Sequence, residues 1–188
     1  MDQAIVIDFF GVICSEVAPF WLAKYFSESR AAEIKANIVH TADLGRISQS
    51  EMFNRLAQLA GISTRRVEQE WESEVRIDFD LVDVLRTGAP LYKFGLLTNS
   101  PSPFVRAILE KHDLAKMFRA IVVSSEIGIA KPDRRAFEYI LEELHAVAGS
   151  AVFIDDNPLN VAGASVLGMK GVIYRSLEDV RKIISVNH

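Results

Sequence analysis

Three acids close two apolar runs of this chain. Asp8 follows Ala4-Ile5-Val6-Ile7, and the pair Asp155-Asp156 follows Ala151-Val152-Phe153-Ile154. Short continuous apolar runs of this kind are the pattern of strands buried on both faces of a parallel sheet. Such sheets bind ligands outside the carboxyl ends of their strands. Carboxylates closing two strands would therefore meet at one edge, where an all-oxygen donor set suits a hard cation such as Mg2+. The run Lys93–Leu97 ends in Thr98-Asn99-Ser100 and brings hydroxyls and backbone donors to the same edge. A carboxylate there can also attack phosphorus, splitting one difficult displacement into two.

The elements that must position these groups alternate in type. Candidate strands are Ala4–Ile7, Lys93–Leu97, Ala120–Val123, Ala151–Ile154 and Gly171–Tyr174, with helix-like segments near Pro103–His112, Arg135–His145 and Leu159–Leu167. Alternation of this kind predicts an α/β fold, a Rossmann-like parallel sheet with helices on both faces. The stretch from Ser15 to Asp80 breaks the rhythm, with helical patches and no convincing strand. Ser48-Gln49-Ser50-Glu51 has the form of a capping box. Met52, Phe53, Leu56 and Leu59 follow at helical spacing, and Gly61 is placed to stop that helix. Ser63 or Thr64 would start another helix carrying Val67, Trp71 and Val75. The expected organisation is a core of residues 1–14 and 81–188, with a small all-helical cap, 15–80, inserted after the first strand.

Composition narrows the function classes. A hydrophobic fraction of 49% supplies enough apolar material for a real core, and the net charge of -4 offers no basic footprint for nucleic acid. The single cysteine, Cys14, rules out an internal disulfide and reads as a small buried hydrophobe. Asp8 interrupts the N-terminus too early for a signal peptide, and no apolar stretch reaches membrane-spanning length. The expectation is a soluble cytoplasmic protein, with no membrane partner and with its oligomeric state left open.

Four signatures occur in one order: Asp8-Phe9-Phe10-Gly11-Val12, Leu97-Thr98-Asn99-Ser100, Lys131-Pro132-Asp133 and Phe153-Ile154-Asp155-Asp156. Together they resemble the haloacid-dehalogenase superfamily, most of whose members are magnesium-dependent phosphatases. The stretches Asp155–Asn160 and Gly128–Asp133 resemble most the small sugar-phosphate phosphatases, including those acting on glucose 1-phosphate. The resemblance implies Asp8 as nucleophile and metal ligand. It implies Asp156 as a metal ligand, Asp155 as a weaker ligand or supporting group, and the Phe10 backbone carbonyl as a further one. Thr98 and Asn99 would hold the phosphoryl oxygens of a small-molecule phosphate ester, and Lys131 would neutralise charge between it and Asp8. Asn160 would tie the metal loop together, and Ser100 would cap the following helix.

Position 10 departs from the pattern. Most phosphatases of this superfamily carry an aspartate there, which protonates the leaving oxygen and then activates water; Phe10 does neither. Glycine occurs at this position in the glucose-1-phosphatase-like group. A second reading is therefore a weak or inactive phosphate-binding or partner-binding protein on the same scaffold. Haloacid dehalogenases carry an aromatic at this position but lack the acid pair, and two extra carboxylates would repel their carboxylate substrates. Each feature also has a structural reading: a turn-capping Asp8, an acid pair complementing a helix dipole, a solvated Lys131. The histidines at 40, 112, 145 and 188 have no ligand spacing, Trp21 and Trp71 read as cap core, and Arg46 reads as a solvated loop residue.

Overall fold

A computed structural model describes residues 3–88 and 90–185. The first strand, β1 (Gln3–Ile7), runs into the loop that carries Asp8. An all-helical stretch follows: α1 (Ala18–Tyr25), α2 (Glu28–Ile34), a π-helical turn over Lys35–Val39, α3 (His40–Asp43), α4 (Gln49–Ala60) and α5 (Thr64–Ser73). The chain then alternates through α6 (Phe79–Gly88), β2 (Tyr92–Thr98), α7 (Ser102–Lys111), β3 (Ala120–Val123), α8 (Ser124–Ile127), α9 (Arg134–Glu143), β4 (Ala151–Asp155), α10 (Pro158–Val166), β5 (Lys170–Ile173) and α11 (Leu177–Ser185). The five strands form one parallel sheet in the order β3-β2-β1-β4-β5, so β1 lies at its centre.

Successive strand residues point to opposite faces, and each face is covered. Ile5 and Ile7 join Phe94, Leu96, Val152 and Ile154 in a core with Leu81 and Leu85 of α6, Val105 of α7 and Val180 of α11. Ala4, Val6, Leu97 and Phe153 pack on the other side against Phe137 and Ile140 of α9 and Ala164 of α10. The helical insertion is not a separate droplet. Trp21, Leu56, Val67 and Trp71 belong to the same apolar cluster as Ile5 and Ile7.

Local signals set most boundaries. Ser48 accepts from the Glu51 backbone N–H at 3.1 Å, while the Glu51 carboxylate turns to Arg55 at 2.7 Å instead of back to the cap. Gly61 closes α4 in the left-handed region, and Ser63 caps α5. Leu59 departs from expectation: it is 40% exposed in the last turn of α4, although its spacing places it on the same side as buried Met52. Val75 lies beyond the end of α5. Ser100 does not cap α7; its hydroxyl donates to the Pro101 carbonyl at 3.1 Å, and Pro101 holds the cap position without a side-chain bond. His188 lies outside the described residues. Among the described residues no helix is long and apolar enough to cross a membrane.

Candidate functional site

The carboxyl ends of β1, β2 and β4 bring Asp8, Thr98, Asn99, Asp155 and Asp156 to one edge, as parallel register requires. The Asp8 backbone N–H donates to the Ile154 carbonyl at 2.9 Å, which extends the ladder one residue past the strand and fixes Asp8 beside the acid pair. Lys131 reaches this edge from the loop after α8. Its Nζ lies 2.8 Å from Asp8 Oδ1 and 2.7 Å from Asp155 Oδ2, and 5.5 Å from the Phe153 ring centroid. All three charged groups are buried: Asp8 is 7% exposed, Lys131 3% and Asp155 0%. A solvated lysine would make none of these contacts.

Asp155 is saturated. Besides Lys131, it accepts from Asn160 Nδ2 at 3.0 and 3.1 Å and from the Asn157 backbone N–H at 2.8 Å. Asn160 thus locks the loop through Asp155. Asp156 is half-buried and turns toward the first loop, where Gly11 makes room for it. A Cβ on Gly11 would stand 2.3 Å from Asp156 Oδ2, and the backbone there takes φ +82°. Ligand oxygens of Asp8, Asp155 and Asp156 all lie within 4.8 Å of one another. Three carboxylates against one lysine leave two uncompensated negative charges, the complement of a divalent cation. The all-oxygen set fits a hard one.

The titration behaviour agrees. Burial pushes the Asp8 carboxyl well above its ordinary range; Lys131 opposes this and Asp155 adds to it. Burial and Asp155 likewise raise Asp156. Burial draws Lys131 down, but Asp8 and Asp155 outweigh it and hold the ammonium above its usual range.

The neighbouring polar groups divide between use and availability. Asn99 Nδ2 donates to the Lys131 carbonyl and its Oδ1 accepts from the Lys131 N–H, both at 2.9 Å. That amide is a clamp on Lys131, and its side chain is committed. Thr98 Oγ1 is buried without a partner. A buried hydroxyl left unpaired costs free energy, and Thr98 is not among the residues that line the cavity over this edge. Asp133 caps α9 through the Arg135 N–H at 2.9 Å, and Arg135 holds its carboxyl down at about 2. Cys14 is buried and its thiol is pushed up to about 11 by burial, which leaves it inert.

A cavity of about 460 Å³ opens over this edge, lined on the sheet side by Asp8, Phe10, Asn99, Lys131, Asp156 and Asn160. The insertion supplies the opposite wall, including Glu16, Lys35, His40, Asp43 and Trp71, while Arg46 stays exposed outside the lining. Sequence reasoning missed Glu16, Lys35 and Asp43, because no motif spacing marks them. Burial pushes the Asp43 carboxyl up to about 7, with Lys35 opposing and Glu16 adding. A carboxyl raised in the folded state holds its proton longer than in the unfolded chain. Its penalty is absent below about pH 4, grows to about pH 7 and is constant above. Asp43→Asn should therefore stabilise the protein at pH 8 by about 2 kcal/mol after allowance for partial exposure, and not at pH 4. Thermal unfolding at both pH values checks this; equal shifts would contradict it.

A family model for haloacid dehalogenase-like hydrolases matches residues 3–168. Drimenol cyclase of Aspergillus calidoustus is 27% identical over 146 residues, covering 73% of this chain but 28% of the cyclase. A sesquiterpene phosphatase of Aspergillus oryzae is 26% identical over 68% of this chain and 67% of its own length. Escherichia coli phosphoglycolate phosphatase is 29% identical over 54% of this chain and 46% of its own. Among solved structures, a HAD family enzyme of Bacteroides thetaiotaomicron in complex with magnesium and inorganic phosphate superposes with a TM-score of 0.76. It is 21% identical and covers 93% of this chain and 95% of its own. The chain belongs to the haloacid dehalogenase-like hydrolase family.

Proposed function

We propose that this protein is a magnesium-dependent phosphatase of small phosphate monoesters, working through an aspartyl-phosphate on Asp8. The observation that carries this reading is the buried Asp8–Lys131–Asp155 trio with Asp156 beside it, a constellation two charges short of neutral. Asp8, Asp156 and the Phe10 backbone carbonyl would hold Mg2+, with Asp155 supporting them. When bound, the ion supplies positive charge to the phosphoryl oxygens. The B. thetaiotaomicron enzyme's magnesium and phosphate complex and the phosphatase names of two relatives support this choice.

The chain's own residues do the rest. Asp8 attacks phosphorus and the ester P–O bond breaks. Lys131, fixed by the Asn99 clamp, offsets the charge of Asp8 and the incoming phosphoryl group. Thr98 Oγ1 and the backbone after it donate to phosphoryl oxygens. The insertion serves as a cap, limiting access from above. Water then hydrolyses the aspartyl-phosphate. With Phe10 in the acid's place, the leaving oxygen takes its proton from solvent. Phosphoryl transfer rests mainly on positioning and charge stabilisation, so turnover survives this loss at reduced rate. The test is phosphate release from a panel of esters, with magnesium and with chelator, wild type beside Asp8→Asn. Release that requires both magnesium and Asp8 is expected. Full activity in Asp8→Asn would remove the nucleophile assignment. Phe10 also favours a second reading, a phosphate-binding protein without turnover, and no release from any ester by folded, magnesium-binding protein would establish it.

A further inference from the structure

We infer that the pocket selects phosphate esters whose organic group is apolar, an aryl or alkyl body in preference to a sugar. The inference rests on the phosphatase reading above and names its substrate class. Phe10 is more than a missing acid. Its ring lies parallel to Phe104 at 5.8 Å between centroids and 9° between planes, and Phe104 meets Trp71 edge-on at 6.5 Å. All three line the cavity, so one aromatic wall runs from two residues beyond Asp8 to the opposite side, drawing on the β1 loop, α7 and α5. Met52, Val39 and Ala36 extend the apolar lining on the insertion.

The wall is braced from behind: Trp71 packs against Trp21 at 5.7 Å and Phe53 at 5.5 Å. Rigid aromatic surface binds apolar groups with little ordering cost. A sugar body against the same surface would leave its hydroxyls facing carbon, and each unpaired buried hydroxyl weakens binding. Of the charged groups that the insertion contributes, Lys35 opposes the raised carboxyls of Glu16 and Asp43 in part, one cation against two acids. At the rim, Leu159 is 70% exposed, continuing the apolar surface outward. A volume of about 460 Å³ exceeds what a phosphate alone fills and is typical of pockets for small organic ligands.

A series of 4-alkylphenyl phosphates, methyl to butyl, separates size from leaving-group chemistry, because the phenol basicity stays near pKa of about 10 throughout. With magnesium, kcat/KM should climb about threefold to fourfold per methylene, about 30- to 60-fold across the series. Glucose 1-phosphate should fall below the butyl ester. Ala36→Asp, which sets a charge on an exposed position of the pocket wall, should cut the butyl-to-methyl ratio at least about fivefold. A flat series with turnover, an unchanged ratio in Ala36→Asp, or preference for the sugar phosphate would overturn the inference and leave the phosphatase reading standing. If no ester turns over, that reading fails. The same series titrated into Asp8→Asn protein with magnesium by calorimetry then decides the inference: affinity rising with chain length upholds it, and flat affinity overturns it.

Discussion

Lys131→Met should abolish magnesium-dependent phosphate release and destabilise the magnesium-free protein by about 3–5 kcal/mol. The side chain is a buried cation between two buried carboxylates, at 2.8 and 2.7 Å. Methionine matches its length but leaves Asp8 and Asp155 with no cation between them. Breaking a buried pair by removing one partner costs more than the pair itself contributes, because the remaining charge stays desolvated. Protonation of one carboxyl relieves part of this, so the loss should be smaller near pH 5 than near pH 8. Burial already favours the protonated form of Asp8, and removing the ammonium takes away the group that opposes it. For a chain of this size the change corresponds to a fall in Tm of about 10 °C. Urea unfolding at the two pH values measures it, and a variant within about 1 kcal/mol of wild type at pH 8 would mean the trio is not held as described.

Phe10→Asp should raise turnover of esters with basic alkoxide leaving groups by about 10²–10⁴-fold. The effect should shrink for aryl phosphates, whose leaving oxygens need little protonation. A plot of log kcat/KM against leaving-group pKa should thus be steep in the wild type and shallow in the variant. The same substitution removes the stack on Phe104 at 5.8 Å, worth about 1 kcal/mol. It should therefore also raise KM for apolar esters, and kcat and KM should move up together. An unchanged slope would place proton delivery elsewhere than position 10.

The sheet was legible because both faces of every central strand are covered. Buried runs such as Ala151–Ile154 have no polar alternation to confuse them with a surface strand. Asp8, Asp155 and Asp156 followed from strand ends, since parallel register turns three sequence positions into one edge. The missed helices α6 and α11 had their signals. Asp78 accepts from the Leu81 N–H at 2.9 Å ahead of Leu81, Val82 and Leu85, and Val180, Ile183 and Ile184 recur at helical spacing. Asn99 was readable as a polar residue at the edge but not as the clamp on Lys131, because two hydrogen bonds across 32 positions leave no local pattern. The insertion's wall was least legible. Glu16 lies in the irregular stretch before α1, and Lys35 opens and Asp43 follows a π-helical turn that breaks the 3.6-residue repeat, so helical periodicity does not show that they face the cavity.

The place of β1 at the centre of the sheet sets an order of events during synthesis. Its first neighbour, β2, begins at Tyr92, and its second, β4, begins only at Ala151. At about 5–20 residues per second, the strand bearing Asp8 therefore waits about 7–30 s on the ribosome with one edge unpaired. The neighbour that finally closes that edge also delivers Asp155 and Asp156. Until then Asp8 and Lys131 lack the acid pair, so a nascent chain halted before Ala151 carries an open strand edge and no capacity to gather the three carboxylates. Closure of the second edge of β1 and assembly of the charged site are one event.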